Sequence, residues 1–346
     1  MSNTKLSEIK ITVIMPVYNC VRYVQEAVDS ILEQTFTDFE FLIIDDASTD
    51  GTLAILKQYT DPRIKLIEKP QNSGYTNSLN YGLSIAKGKY IARMDGDDVS
   101  TPDRLQIQYT YMELHEKIVV CGTAIQILGT DNIYIGPENY EDIKISLLKE
   151  NCLAHPSVMI RLSVLKERLI SYDVTAEPAE DYRLWVRLCK YGELYNYPKV
   201  MLHYRLHNSQ VSQQRSLQQS KSAIISRIEM LKLVYGDMTE NEMNLLVKIF
   251  NNLKVLTFEE IKAFLLLQNK IIDKNKTNFF KSDELREYLE TLKTERLKKY
   301  FLARNYYNPL IFRRYFSIKK QTKFHLNFLE EIKLIIKCVL FFKPTT

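Results

Sequence analysis

Cysteine is sparse in this chain of 346 residues, and its five copies form neither a Cys-x-x-Cys pair nor a regular framework. Cys20, Cys121, Cys152, Cys189 and Cys338 therefore read as reduced thiols, with no zinc site and no disulfides. Glycine-rich phosphate loops are missing too. A dinucleotide site needs Gly-x-Gly-x-x-Gly after the opening strand, and that position reads Pro16-Val17-Tyr18-Asn19-Cys20-Val21. No Gly-x-x-x-x-Gly-Lys-Ser/Thr occurs, which excludes P-loop chemistry. No run reaches the roughly 18 uncharged apolar residues of a membrane span. Met1 to Lys10 is polar where a signal peptide would be apolar, so the expected location is cytoplasmic. A formal charge of +5 is too small to argue for nucleic acid as a partner. What is present is an ordinary soluble composition, 45% hydrophobic and 26% charged. Its length leaves room for about two domains.

The first hundred residues alternate apolar runs with turn-rich stretches. Ile9–Val17 is dense in β-branched residues and predicts a buried strand ending at Pro16 and the turn Tyr18-Asn19-Cys20. A helix follows with Val21, Val24, Val28, Ile31 and Leu32 on one face. Phe39–Ile44 is the next strand, running into Asp45-Asp46-Ala47-Ser48-Thr49-Asp50-Gly51, a turn rich in helix-capping residues, before a helix over Thr52–Tyr59. Arg63–Glu68 is a third strand. Asn72-Ser73-Gly74 opens another helix that stops near Lys87-Gly88. This order describes right-handed βαβ units, an α/β fold with a mostly parallel sheet whose strand ends line one crevice.

The fourth strand empties into Asp95-Gly96-Asp97-Asp98. Three acids in one tight turn repel one another, and a shared hard cation such as Mg2+ or Mn2+ makes the arrangement favourable, because such ions select oxygen ligands. An isolated Asp-x-Asp is also compatible with a solvated turn. An EF-hand loop fits poorly, since Ser100 stands where its turn glycine belongs.

Beyond this, Asp103–His115 reads as a helix, Ile118–Leu128 as a strand and Glu138–Glu150 as a helix. His155-Pro156-Ser157-Val158-Met159-Ile160-Arg161 reads as a turn feeding a strand. Leu184, Trp185 and Leu188 give helical spacing behind Glu180-Asp181, two carboxylates placed where a helix dipole favours them. That placement alone could mean no more than a stabilised helix start.

Four ordered segments carry a resemblance: Ile14–Asn19, Ser30–Phe36, Ile44–Thr52, and Ala86–Asp98 closing on Pro102-Asp103-Arg104-Leu105. Together they resemble the family 2 glycosyltransferases over residues 9 to about 210. The resemblance implies a GT-A fold, Rossmann-like with flanking helices, and an inverting transfer from a nucleotide-sugar donor, a UDP-sugar by preference. It implies Mn2+ or Mg2+ as cofactor. Pro16, Tyr18, Asn19, Asp46, Asn72 and Asp95 are then the donor-binding residues, Asp46 accepting from the base. Asp97, with Asp95, holds the metal, and Asp98 is a third acid of undetermined role. Asp181 becomes the catalytic base, with Glu180 and His155 toward the acceptor, although His155 is equally compatible with a structural role. Processive members carry Gln-x-x-Arg-Trp. The only tryptophan here is Trp185, and the matching region reads Tyr204-Arg205-Leu206-His207-Asn208-Ser209-Gln210-Val211-Ser212, closer to members that add a single sugar. His207 could approach the diphosphate or simply be a loop histidine. The acceptor implied is a glycan or lipid-linked saccharide of a bacterial surface polysaccharide. Two other classes stay open: a sugar-nucleotide nucleotidyltransferase, and a donor-binding scaffold without catalysis.

The catalytic domain is expected over residues 1–215, with a donor half at 9–115 and an acceptor half at 116–215. A helical region is expected over 216–346, where Gly236 is the only glycine. Thr239-Glu240-Asn241-Glu242 and Thr257-Phe258-Glu259-Glu260 are capping-box signatures. From Lys293 to Lys323 ten Lys or Arg face the single acid Glu295, a net +9, interleaved with seven aromatic rings and followed at once by an eighth, Phe324. Such a mixture suits an anionic membrane surface at the inner face of the plasma membrane, or a solvated basic face over a small core. Phe328–Phe342 is apolar but interrupted by charge, as an interfacial or a packed terminal helix would be.

Overall fold

The computed structural model describes residues 9–207, 210, 214–252 and 255–342. The polar residues before Ile9, and Asn208, Ser209, Val211 and Ser212 of the loop discussed above, lie outside them. The chain divides into two compact units, residues 1–229 and 230–346.

In the first unit β1 (Ile11–Val17), α1 (Val24–Leu32), β2 (Phe39–Asp45), α2 (Thr52–Leu56), β3 (Ile64–Glu68), α3 (Tyr75–Ile85) and β4 (Tyr90–Arg93) follow one another. They build a parallel β3-β2-β1-β4 half-sheet. β1 and β2 are buried along their whole length, as their unbroken apolar runs require for strands covered on both faces. Register brings Val17, Asp45 and Glu68 level, so the turns after β1, β2 and β3 leave along one edge. β4 is level with β1 only as far as Ile14↔Arg93 and then departs into the acidic turn. Met94 N–H still reaches the Ile14 carbonyl, so the next β1 residue facing that side is Pro16. Proline has no N–H to leave unpaired there, which is why the strand runs through it.

The second half of the sheet is mixed. β5 (Val99–Ser100), α4 (Arg104–Leu114), β6 (Ile118–Ile127), β7 (Ile133–Tyr134), α5 (Tyr140–Ser146), β8 (Met159–Arg161), α6 (Leu162–Glu167), α7 (Glu180–Leu188) and β9 (Glu193–Tyr204) complete the unit with the start of α8 (Ser216–Lys232). β8 is antiparallel to both β4 and β6, and β6 runs parallel to β9. The tiny β5 pairs with the far end of β9, Val99↔His203 and Ser100↔Leu202. That pairing carries the residues after β9 to the acidic turn.

The second unit is helical: the end of α8, then α9 (Glu240–Phe250), α10 (Phe258–Lys274), α11 (Ser282–Leu302), α12 (Pro309–Gln321) and α13 (Phe328–Val339). Both expected capping boxes form, and Asn327 with Glu330 makes a third that the sequence reading missed. Of the eight rings in or next to the basic segment, Tyr300, Phe301, Tyr307, Tyr315 and Phe324 are buried; only Tyr306 and Phe316 are exposed and Phe312 lies between. Phe301 packs on Tyr300, Tyr315 and Phe324 at centroid distances of 4.8, 5.4 and 6.1 Å. Most of those rings are therefore core; helical spacing turns Tyr300, Phe301 and Tyr315 inward, while Arg313 and Lys320 stay exposed.

Candidate active site

The acidic turn can form because Gly96 has no side chain. A Cβ there would lie 2.8 Å from Val17 Cγ1 and 3.0 Å from Cys20 Sγ, so the turn rests directly on the end of β1. One ligand oxygen each from Asp95, Asp97 and Asp98 lies within 4.8 Å of the others. Asp98 is fully buried; its Oδ1 accepts from Arg205 N–H at 2.9 Å, while its Oδ2 has no protein hydrogen-bond partner. Burial first, then the neighbouring Asp95 and Asp97, holds the Asp98 carboxyl well above its ordinary value. Asp97 is raised for the same reasons, burial and then Asp95, despite His207. An orphaned buried carboxylate oxygen inside an all-oxygen cluster is what a hard divalent cation would satisfy, so the residues present fit Mn2+ or Mg2+.

Residues far away in sequence hold this turn. His207 Nε2 lies 2.8 Å from Asp97 Oδ2. Arg205 donates to the Asp97 carbonyl at 2.8 Å and pairs with Glu26 at 2.6 Å. Arg93 is buried at the end of β4 and forms an ion pair with Asp95. The sequence reading assigned Arg93 and Arg205 no role. A lone cation closing a buried strand next to three acids was the available signal for Arg93; Arg205 had none, since its position depends on the β5–β9 pairing.

The other two turns are stitched together on the same edge. Asn19, at φ +52°, accepts from Thr49 N–H at 2.8 Å, and its own N–H donates to Ser48 Oγ at 3.0 Å. Asp50 accepts from Val21 N–H and from Thr52 N–H, each at 3.0 Å, so it joins the two turns as well as the start of α2. Pro16 is buried in β1, whereas Tyr18 is half exposed beside this pair. Asp46 is buried and accepts from Ser73 and Gly74 N–H at 3.1 and 2.8 Å, with Lys69 Nζ at 2.9 Å. Burial alone would raise its pKa, yet Lys69, Ser73 and Gly74 hold it below the usual value. Asn72 is exposed and accepts from Gly74 N–H at 3.1 Å. Asp46 and Asn72 thus shape the loop that opens α3.

That loop leads to the second pair of acids. Tyr75, the first residue of α3, donates to Glu180 at 2.8 Å, and Thr76 donates to Glu177 at 2.7 Å. Glu180 is buried in the first turn of α7, while Asp181 beside it is partly exposed. Asp181 accepts from Asn151 Nδ2 at 2.7 Å and from Tyr182 N–H at 2.6 Å. Burial raises both carboxyls, Glu180 to about 8, with Asp181 adding to it, and Asp181 to about 6. Arg93 lowers both, and it lowers Asp97 and Asp98 as well. One buried guanidinium therefore sits in the field of both acid groups.

His155 lies in the turn before β8, its Nε2 2.8 Å from Tyr172 Oη and its ring against Trp185. Glu180 is 3.9 Å from Nδ1, beyond hydrogen-bond reach. Burial, then Arg93, pushes its pKa well below 6.5, so this is a neutral imidazole in a polar core.

Comparison with known proteins fits this architecture. The family model described as Glycosyl transferase family 2 matches residues 12–168. An uncharacterized glycosyltransferase of Haemophilus influenzae is 32% identical over 260 residues, covering 71% of this chain and 79% of that one. The O-antigen biosynthesis glycosyltransferase WbnJ of Escherichia coli is 37% identical over 234 residues, 64% of this chain and 89% of that one. Among solved structures, Staphylococcus aureus TarS 1–349 in complex with UDP-GlcNAc superposes with a TM-score of 0.57 at 20% identity, covering 84% of this chain and 89% of that one. The Pyrobaculum calidifontis mannosyltransferase PcManGT, in complex with GDP-Man and Mn2+, does so at 0.52 and 16% identity, covering 83% and 87%. These matches replace the nucleotidyltransferase alternative. With a GT-A fold followed by a helical region, the chain belongs to glycosyltransferase family 2.

Proposed function

We propose that the enzyme transfers one sugar from a nucleotide-sugar donor to a hydroxyl of a glycan or lipid-linked saccharide in surface polysaccharide synthesis, with inversion and without processive elongation. The observation that carries this reading is a partly exposed carboxylate of raised proton affinity, Asp181, that shares the field of Arg93 with the acidic turn. The turns after β1 and β2, with Tyr18, Asn19, Pro16 and Asp46, and the loop at Asn72 receive the nucleoside. A UDP donor is favoured by the TarS complexes, and the surface-glycan setting by the O-antigen relative.

An acceptor hydroxyl is a weak nucleophile until its proton is taken. Asp181 takes that proton as the oxygen bonds to the anomeric carbon and the bond to the nucleoside diphosphate breaks. Asn151 and Tyr182 N–H fix the carboxylate's orientation. Glu180, held to about 8, carries its proton at neutral pH and positions the acceptor, with Tyr75 bracing it. His155, being neutral, contributes shape and a hydrogen bond through Tyr172 on the acceptor side. Asp97 and Asp95, with Asp98, would hold Mn2+ or Mg2+, which when bound neutralises charge developing on the leaving diphosphate. Base and leaving group on opposite faces of the sugar give inversion. The enzyme works in the cytoplasm in this reading, on the inner side of the membrane.

Thermal shift against UDP- and GDP-sugars with and without Mn2+, followed by product anomer analysis, tests the proposal. Stabilisation by a nucleotide sugar that needs Mn2+, and a product of inverted configuration, are expected. A retained configuration contradicts it.

A further inference from the structure

Helix α13 carries two apolar faces. Leu334 and Cys338 are buried against the other helices of their unit. On the opposite side Phe328, Leu329, Ile332, Ile336, Val339 and Leu340 form a stripe at spacings of three and four, each 37–76% exposed. Phe341 and Phe342, beyond the end of the helix, are also exposed. A contiguous outward stripe of this kind is unlike the scattered exposed apolar residues of an ordinary surface.

The exposed charges of α12 and α13 have one sign. The helix has two acids, Glu330 and Glu331, and both are paired, with Lys298 at 3.1 Å and Lys319 at 2.8 Å. Lys333 is exposed within the helix. Neighbouring α12 presents Leu310, Arg313, Phe316 and Lys320 to solvent, and Lys323 follows it. A second copy of the chain would meet the same cations with its own, which like-charge repulsion opposes. An anionic bilayer surface offers both what the stripe and what the cations require. A helix of 12 residues, about 18 Å long, is too short to cross a bilayer of about 30 Å and suits the interfacial plane.

We infer that α13 is a membrane-surface helix, its outward stripe seated in the headgroup region of an anionic bilayer and held there by Lys333, Arg313 and Lys320. The apolar contact comes from α13, while the basic aromatic segment, most of whose rings are core, contributes only the cations Arg313 and Lys320. It stands apart from the catalytic reading, because its readout does not involve turnover.

The test is co-sedimentation of the full chain with vesicles of phosphatidylcholine alone or mixed with phosphatidylglycerol. Binding is expected with the mixed vesicles, and it weakens as salt rises, since exposed charges are screened over about 10 Å at 0.1 M. Ile332→Ser/Ile336→Ser should cut binding roughly tenfold or more through lost apolar burial, and Arg313→Ala/Lys320→Ala about fivefold per charge removed. Both pairs sit on exposed positions, so their melting temperatures should match the wild type. Equal binding to both vesicle types, no binding, or wild-type binding by the Ile variant would overturn the inference. So would a dimer in solution that the Ile variant dissociates.

Discussion

Glu242 in the helical unit is partly buried and Asp98 in the α/β unit fully so, and their neighbours treat the two carboxylates in opposite ways. Burial pushes Glu242 up, yet Lys270, the Thr239 cap and Tyr235 bring it down to about 2. Glu260, Glu330 and Glu331 are lowered likewise, by lysines and capping N–H groups. Asp98 instead has acids for neighbours, and the carboxyls raised with it are Asp97, Glu180 and Asp181. Elsewhere in the α/β unit Asp46, Glu40 and Asp173 are lowered in the ordinary way. The strain is thus confined to two small groups of acids around Arg93. A fold that satisfies its other shifted carboxylates and leaves these four unfavourable supports the proposal that they are working groups.

The contrast can be broken by neutralising one acid in each place. Asp97→Asn should lower turnover by about 10³ or more, since charge stabilisation of a leaving group is worth several kcal/mol. It should also raise the melting temperature of the ligand-free protein by relieving repulsion in the turn. Turnover and melting on one preparation check both halves; full activity in excess EDTA would contradict the first. Phe301→Ala should cost about 3–5 kcal/mol in stability, as truncating a fully buried aromatic does, while the activity of the folded fraction stays. Denaturant titration reads that loss, and a surface ring would show almost none. Glu242→Gln should behave as the opposite of Asp97→Asn, losing about 1–2 kcal/mol through its cap with turnover unchanged.

The smallest effect sharpens the comparison by pH. Glu180 binds its proton more tightly folded than unfolded, so its stabilising contribution is fully present below 4.5 and is lost as pH rises through about 8. Glu180→Gln carries no such proton. Its melting temperature relative to wild type should therefore climb between pH 5 and pH 9, by about 2–4 °C for each kcal/mol relieved. A constant gap across that range would show that Glu180 is not held protonated.

Much of the α/β unit was legible because burial on both faces demands unbroken apolar strands and the turns demand capping residues. Ile11–Val17 and Phe39–Asp45 fall where the β-branched runs predict, and Glu180-Asp181 opens α7 as its spacing predicts. The acids of the turn were readable for the same reason: three carboxylates within four residues need an explanation. What the sequence could not carry was long-range pairing. Asn151 meets Asp181 across 30 positions, Tyr75 meets Glu180 across 105, and Arg205 meets Asp98 across 107. None of these contacts has a local periodicity or spacing to announce it. Arg104 is a further case. It opens α4, where nothing local distinguishes it from a surface arginine, yet it is fully buried and donates to the Arg93 carbonyl at 2.7 Å. In the helical unit the caps at Thr239 and Thr257 were legible, but the inward direction of most rings was not, since cations interleaved with aromatics look alike on a core-facing and an interfacial helix.

The central claim is that Asp181 removes the acceptor's proton, and Asp181→Asn tests it most directly. Asparagine keeps the side chain's shape and an acceptor oxygen for one of the two donors, Tyr182 N–H on Oδ1 or Asn151 Nδ2 on Oδ2, but it cannot take a proton. Single-turnover rate, UDP binding and melting temperature would be measured on the same variant. The account predicts a fall in kcat of roughly 10²–10⁴ with UDP binding nearly unchanged. If Asp181 only stabilises the start of α7, the variant loses about 1 kcal/mol of stability and turns over like the wild type. That result would contradict the assignment.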